Sequence, residues 1–169
     1  LIQGRGKIMN ILEVAIAMEV DLEKYYLKQA KVNEGNPLNK IFTMLAKDEE
    51  EHANILRSKS KELSYDLKSS ETLVESKKIF KGMKDFEIET KDLPSQLDSF
   101  RMALDMEKKS IVAYEKLLAE TKDEKAKGLF EFLIKQEKEH FRLIEQLVIH
   151  LTRPEEWVED AEFGIREDY

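Results

Sequence analysis

Asp48-Glu49-Glu50-Glu51-His52-Ala53 decides how this chain is read, because its core returns 88 residues later as Glu137-Lys138-Glu139-His140. The chain has three histidines, and two of them close the same constellation. Glu19, Tyr26, Glu49 and His52 form one copy; Glu107, Tyr114, Glu137 and His140 form the other. Glu-x-x-His puts a carboxylate and an imidazole on one helix face, almost a turn apart, where both reach the same ion. Two such motifs, each with a Glu from the preceding helix, make the ligand set of a dinuclear carboxylate centre inside a four-helix bundle.

One Glu-x-x-His is weak evidence in a chain where 25 of 169 residues are Glu. Chance placement of both glutamates and the Tyr around one His is on the order of 10⁻³, and the doubled pattern on the order of 10⁻⁶ before allowance for choosing it after inspection. Apolar positions repeat at the same offset. Leu12 and Ile16 align with Phe100 and Leu104; Phe42, Leu45, Leu56 and Leu63 align with Phe130, Leu133, Ile144 and Leu151. Two similar helical hairpins are the expected building blocks.

Composition agrees with an all-α fold. Charged residues make up 37%, and Gly and Pro together fill nine positions, which favours long helices. A length of 169 residues at 41% hydrophobic content suits one domain with a sizeable core. The net charge of −7 argues against nucleic acid or an anionic membrane as main partner. The absence of Cys rules out disulfides, a thiolate nucleophile, an iron–sulfur cluster and a zinc ribbon within these residues. No apolar run approaches a membrane span and no signal-peptide pattern opens the chain, so a cytoplasmic protein is expected. Leu1 to Ile8 precede the first Met and read as a vector remnant or an alternative start.

Helix A is expected from about residue 7 to 33, and Glu34-Gly35-Asn36-Pro37 supplies a turn. Helix B is expected from Pro37 to Leu67, with the seam Leu38, Phe42, Leu45, Glu49, His52, Leu56, Lys59, Leu63. Residues 69–93 read as a long crossover with one short helix. Helix C is expected to start near Pro94 or Ser95 and to end near Thr121. Helix D follows a turn at Lys122-Asp123 and runs to Leu151. The short tail beyond Thr152-Arg153-Pro154 carries Trp157, Phe163 and Tyr169, which predicts that it docks on something.

Four glutamates in an apolar core, ionised and unpaired, would each cost several kcal/mol. Two divalent cations would balance them, with neutral His52 and His140 completing the coordination. Carboxylate with imidazole suits iron(II), manganese(II) or zinc(II). Glu49 and Glu137 are expected to bridge the ions, Glu19 and Glu107 to bind one each. Tyr26 and Tyr114 either fill the core or donate to metal-bound carboxylates, with the second role preferred. Glu23, whose counterpart is Ile111, is an extra ligand, a base behind the ligands, or a side chain reaching solvent. Glu50, Glu51 and Glu139 fall off the seams and are expected in water; His150 is expected at the surface or a helix end.

These residues resemble the ferritin-like superfamily, and most closely the rubrerythrin-type diiron proteins. The resemblance covers about Met9 to Leu151. It implies a ferritin-like four-helix bundle, two iron ions (with manganese or zinc able to substitute), and oxidation of the pair by peroxide or dioxygen. Two departures stand out. Full-length rubrerythrins carry a rubredoxin-like module with four cysteines, which this chain lacks. They also have an additional Glu one turn before the helix C ligand, where Leu104 stands here. The preferred expectation is a cytoplasmic homodimeric oxidoreductase served by an external donor, a rubredoxin-like protein or a flavin reductase. The alternatives are iron handling with ferroxidase activity, a dimanganese peroxide dismutase, and a structural metal site.

Overall fold

A computed structural model describes residues 2–83 and 93–152, and every regular element among them is helical. The elements are α1 (Ile2–Val32), α2 (Leu38–Ser60), α3 (Thr72–Gly82), α4 (Leu93–Glu120) and α5 (Glu124–Thr152). α1 pairs with α2 and α4 with α5 as two hairpins, and α1 packs on α4 to join them. α3 lies in the crossover and packs on α2 and α5. This is the four-helix bundle with a long connection between its second and third helices. The tail aromatics Trp157, Phe163 and Tyr169 lie outside the described residues.

The first turn is built by asparagines around Gly35, which takes φ +89°, a left-handed conformation that costs glycine nothing. Leu38 N–H donates to Asn36 Oδ1 at 2.9 Å, and Asn39 Nδ2 reaches back to Ala30 O at 2.6 Å, closing α1 against α2. The apolar core is split in two. One cluster gathers Leu22, Tyr26, Phe42, Leu45, Phe80, Phe100, Ile144 and Leu147. The other gathers Leu12, Ala15, Leu56, Tyr114, Leu117, Phe130 and Leu133. Between them lies a layer of buried Glu and His.

α2 ends seven residues before the expected Leu67. Its last turn closes in the two-bond pattern of a Schellman stop: Leu63 N–H donates to Ser58 O at 2.8 Å and Glu62 N–H to Lys59 O at 3.1 Å. Glu62 takes φ 56°, the left-handed position normally given to Gly. The seam's spacing ran on through Leu63, but Leu63 is 58% exposed and Leu67 41% exposed. Ser58 and Ser60 propagate a helix weakly, and Lys59 leaves the core to meet Asp123 of the α4–α5 turn at 3.4 Å. Local stop chemistry overrode periodicity here. His150, expected at the surface or a helix end, lies in the last turn of α5 and is buried, 8% exposed.

Glu62 therefore carries a left-handed backbone that a glycine would adopt freely. Glu62→Gly should raise stability by about 0.5–1 kcal/mol, measured as a higher urea midpoint at unchanged slope. A lower midpoint would mean that Glu62 makes compensating contacts in the folded state.

Candidate metal centre

Each of the four long helices brings one glutamate to the middle layer: Glu19 on α1, Glu49 on α2, Glu107 on α4 and Glu137 on α5, all fully buried. α2 and α5 add His52 and His140. His52 Nδ1 lies 2.9 Å from Glu137 Oε1, 3.3 Å from Glu49 Oε2 and 3.6 Å from Glu19 Oε2. His140 Nδ1 lies 2.8 Å from Glu49 Oε1, 3.7 Å from Glu107 Oε1 and 3.8 Å from Glu137 Oε2. The imidazoles stack 5.6 Å apart at 20°. Each points the same nitrogen into the cluster.

Two groups of ligand atoms result, each within 4.8 Å: Glu19, Glu49, His52 and Glu137, and Glu49, Glu107, Glu137 and His140. They share Glu49 and Glu137. Every one of the four carboxylates also keeps one buried oxygen, Oε2, with no hydrogen-bond partner. A buried acceptor left this way is costly, and four converging ones fit a pair of cations.

The tyrosines cross over. Tyr26 of α1 donates its hydroxyl to Glu107 Oε1 on α4, and Tyr114 of α4 donates to Glu19 Oε1 on α1. Tyr25 of α1 hydrogen-bonds Ser99 O at 2.9 Å, so α1 and α4 run antiparallel and each hairpin's phenol serves the other hairpin's carboxylate. Glu23 is half-buried and belongs to neither ligand group. Glu50 and Glu51 are exposed and Glu139 is half-exposed. Leu104 packs against the first apolar cluster.

Asp48 was missed by the sequence reading. It is 5% exposed, and its Oδ2 lies 3.0 Å from His140 Nε2 and accepts a hydrogen bond from Ser70 Oγ at 2.9 Å. The signal was present: Leu45, Asp48 and His52 are spaced three and four apart, so Asp48 borders the same seam as Glu49.

Without cations the layer neutralises itself with protons. Burial, then the charge of Glu19, pushes Glu49 well above the usual carboxylate range; burial, then Glu137, does the same to Glu107. Burial, with Glu19 and Glu49, raises Glu137 to about 7. Burial also works to raise Glu19, but polar contacts with Glu49, His52 and Tyr114 and the charge of His52 hold it at about 2. Burial opposes charging of both imidazoles, yet His52 is raised by contacts with Glu137, Glu19 and Glu49. His140 is raised by the charge of Glu49 and contacts with Asp48 and Glu49.

Groups with raised values bind protons more tightly folded than unfolded, so their contribution is complete at low pH and is lost as pH rises. Glu19, shifted downward, acts the other way only toward its value of about 2. The metal-free protein should therefore lose stability as pH rises from about 5 to about 7, the interval set by Glu137. Metal binding displaces these protons and should strengthen over the same interval. Melting temperatures of chelated and zinc-loaded protein should diverge as pH rises. A pH-independent gap would contradict this proton inventory.

Among the described residues no helix is long and apolar enough to cross a membrane. No curated protein and no solved structure matches the chain. The family model for rubrerythrin matches residues 10–148, the stretch that contains all four bundle glutamates, both histidines and both crossed tyrosines. The chain therefore belongs to the rubrerythrin family, a ferritin-like diiron family.

Proposed function

We propose that this protein is a non-haem diiron oxidoreductase that reduces peroxide or dioxygen with electrons drawn from a separate donor. The observation that carries the reading is the sharing of Glu49 and Glu137 between two converging ligand groups. On this reading Glu49 and Glu137, common to both ligand groups, would be shared between two irons. Glu19 with His52 would complete one site and Glu107 with His140 the other, the Nδ1 atoms being the ones that face the carboxylates. When bound, an iron(II) pair supplies the two electrons that, with two protons, reduce one peroxide to two waters.

The chain's own residues prepare that site. Tyr26 and Tyr114 each occupy one oxygen of a terminal carboxylate and leave the other free to bind. Burial first, then the neighbouring carboxylate charges, keeps both phenols protonated as donors. Phe132 meets the His52 ring edge-on at 6.4 Å and walls that side of the layer. Leu104, partly buried against the first apolar cluster, offers no carboxylate, so on this reading His52 and His140 would hold the ions in both oxidation states. These 169 residues contain no Cys to carry electrons, so on this reading electrons reach the layer from a group outside them, of rubredoxin or flavin-reductase type.

Iron-reconstituted protein should hold about two irons per chain, and adding peroxide should produce near-ultraviolet absorption of oxo-bridged iron(III). Glu49→Ala or Glu137→Ala should abolish the pair, whereas Glu50→Ala or Glu139→Ala should leave it intact. Iron that stays spectroscopically unchanged under peroxide would support a structural metal site instead. Rapid cycling of the manganese-loaded protein with peroxide alone would support a dismutase.

A further inference from the structure

The repeat makes the ligands nearly symmetric, and the symmetry breaks one layer behind them. Asp48 stands behind His140; 88 residues on, the position equivalent to Asp48 in the repeat is Gln136. Both side chains are buried, Gln136 at 1% exposure. Asp48 is fully engaged, touching His140 Nε2 at 3.0 Å and Ser70 Oγ at 2.9 Å. Gln136 Nε2 has no hydrogen-bond partner, and no side chain among the described residues hydrogen-bonds His52 Nε2.

We propose that Asp48 makes the two metal positions unequal, so that the position formed with Glu107 and His140 binds its ion more tightly and fills first. The inference rests on the two-metal reading above and concerns how that site loads. Asp48 Oδ2 already accepts from Ser70 Oγ and faces His140 Nε2 as an acceptor, so it calls for a proton on that nitrogen. That leaves the Nδ1 lone pair directed at the ion and makes the ring a stronger donor. A neutral amide adds no charge, and by rotating it can offer either a donor or an acceptor. It does not dictate the tautomer of His52. Asp48 is thus a positioning residue acting through His140.

Zinc(II) is a suitable probe, titrated against a competing chelator. The full chain should take up two zinc ions in two resolved steps. Asp48→Asn keeps the shape and removes the charge. It should weaken the tighter step by about 10–100-fold and leave the weaker step in place. Gln136→Asp should strengthen the weaker step and bring the two together. In the zinc-loaded protein, nitrogen-15 spectra should show a His140 Nε2–H protected from exchange and a His52 Nε2–H that is not, with the protection lost in Asp48→Asn. A merely structural role would weaken both steps alike and leave no such difference between the rings. Two equal steps in the unaltered protein, or equal weakening of both by Asp48→Asn, would overturn the asymmetry while leaving the two-metal reading standing. Uptake of fewer than two zinc ions by the unaltered protein would overturn both.

Discussion

Four carboxylates converge in the centre of an apolar bundle, and the rest of the structure answers to that constraint. Burying one unpaired ionised group costs several kcal/mol, and four together also repel. The bundle meets that charge with groups inside the layer itself. It places two imidazoles among the carboxylates, anchors one oxygen of Glu19 and one of Glu107 with phenols, and leaves four oxygens bare. A centre arranged this way can be neutralised by protons or by cations.

The layer also explains why the hydrophobic core comes in two parts. Leu12, Leu56, Tyr114, Phe130 and Leu133 on one side correspond, under the 88-residue offset, to Phe100, Ile144, Tyr26, Phe42 and Leu45 on the other. The two hairpins are thus related by a near two-fold axis through the metal layer. Each apolar cluster mixes residues of both copies, and each tyrosine reaches across to the other copy's glutamate. Neither hairpin contains a complete site. Assembling the bundle and assembling the ligand set are one event.

Much of this was legible because the chain states it twice. Glu19, Glu49, Glu107, Glu137 and the two histidines recur at a fixed offset on helical seams, and a four-helix bundle with a crossover follows from them. What escaped was set by local or tertiary detail. The end of α2 depends on Glu62 adopting a left-handed backbone, which the continuing apolar spacing through Leu63 concealed. Asp48 was hidden among three consecutive glutamates, where only the packing of α2 against His140 distinguishes it from solvated neighbours. His150 is the helix-end residue it looked like, but its burial was not legible in the pattern. The crossing of the tyrosines required the antiparallel pairing of α1 with α4, which no single-helix pattern contains.

The central claim is that one buried layer holds two ions through shared carboxylates. Anomalous diffraction from crystals of the iron-loaded protein tests it most directly. The account predicts two peaks per chain, about 3–4 Å apart, with Glu49 and Glu137 contacting both and the Nδ1 atoms of His52 and His140 contacting one each. A single peak, or ions bound at exposed acidic residues with the buried layer empty, would contradict it.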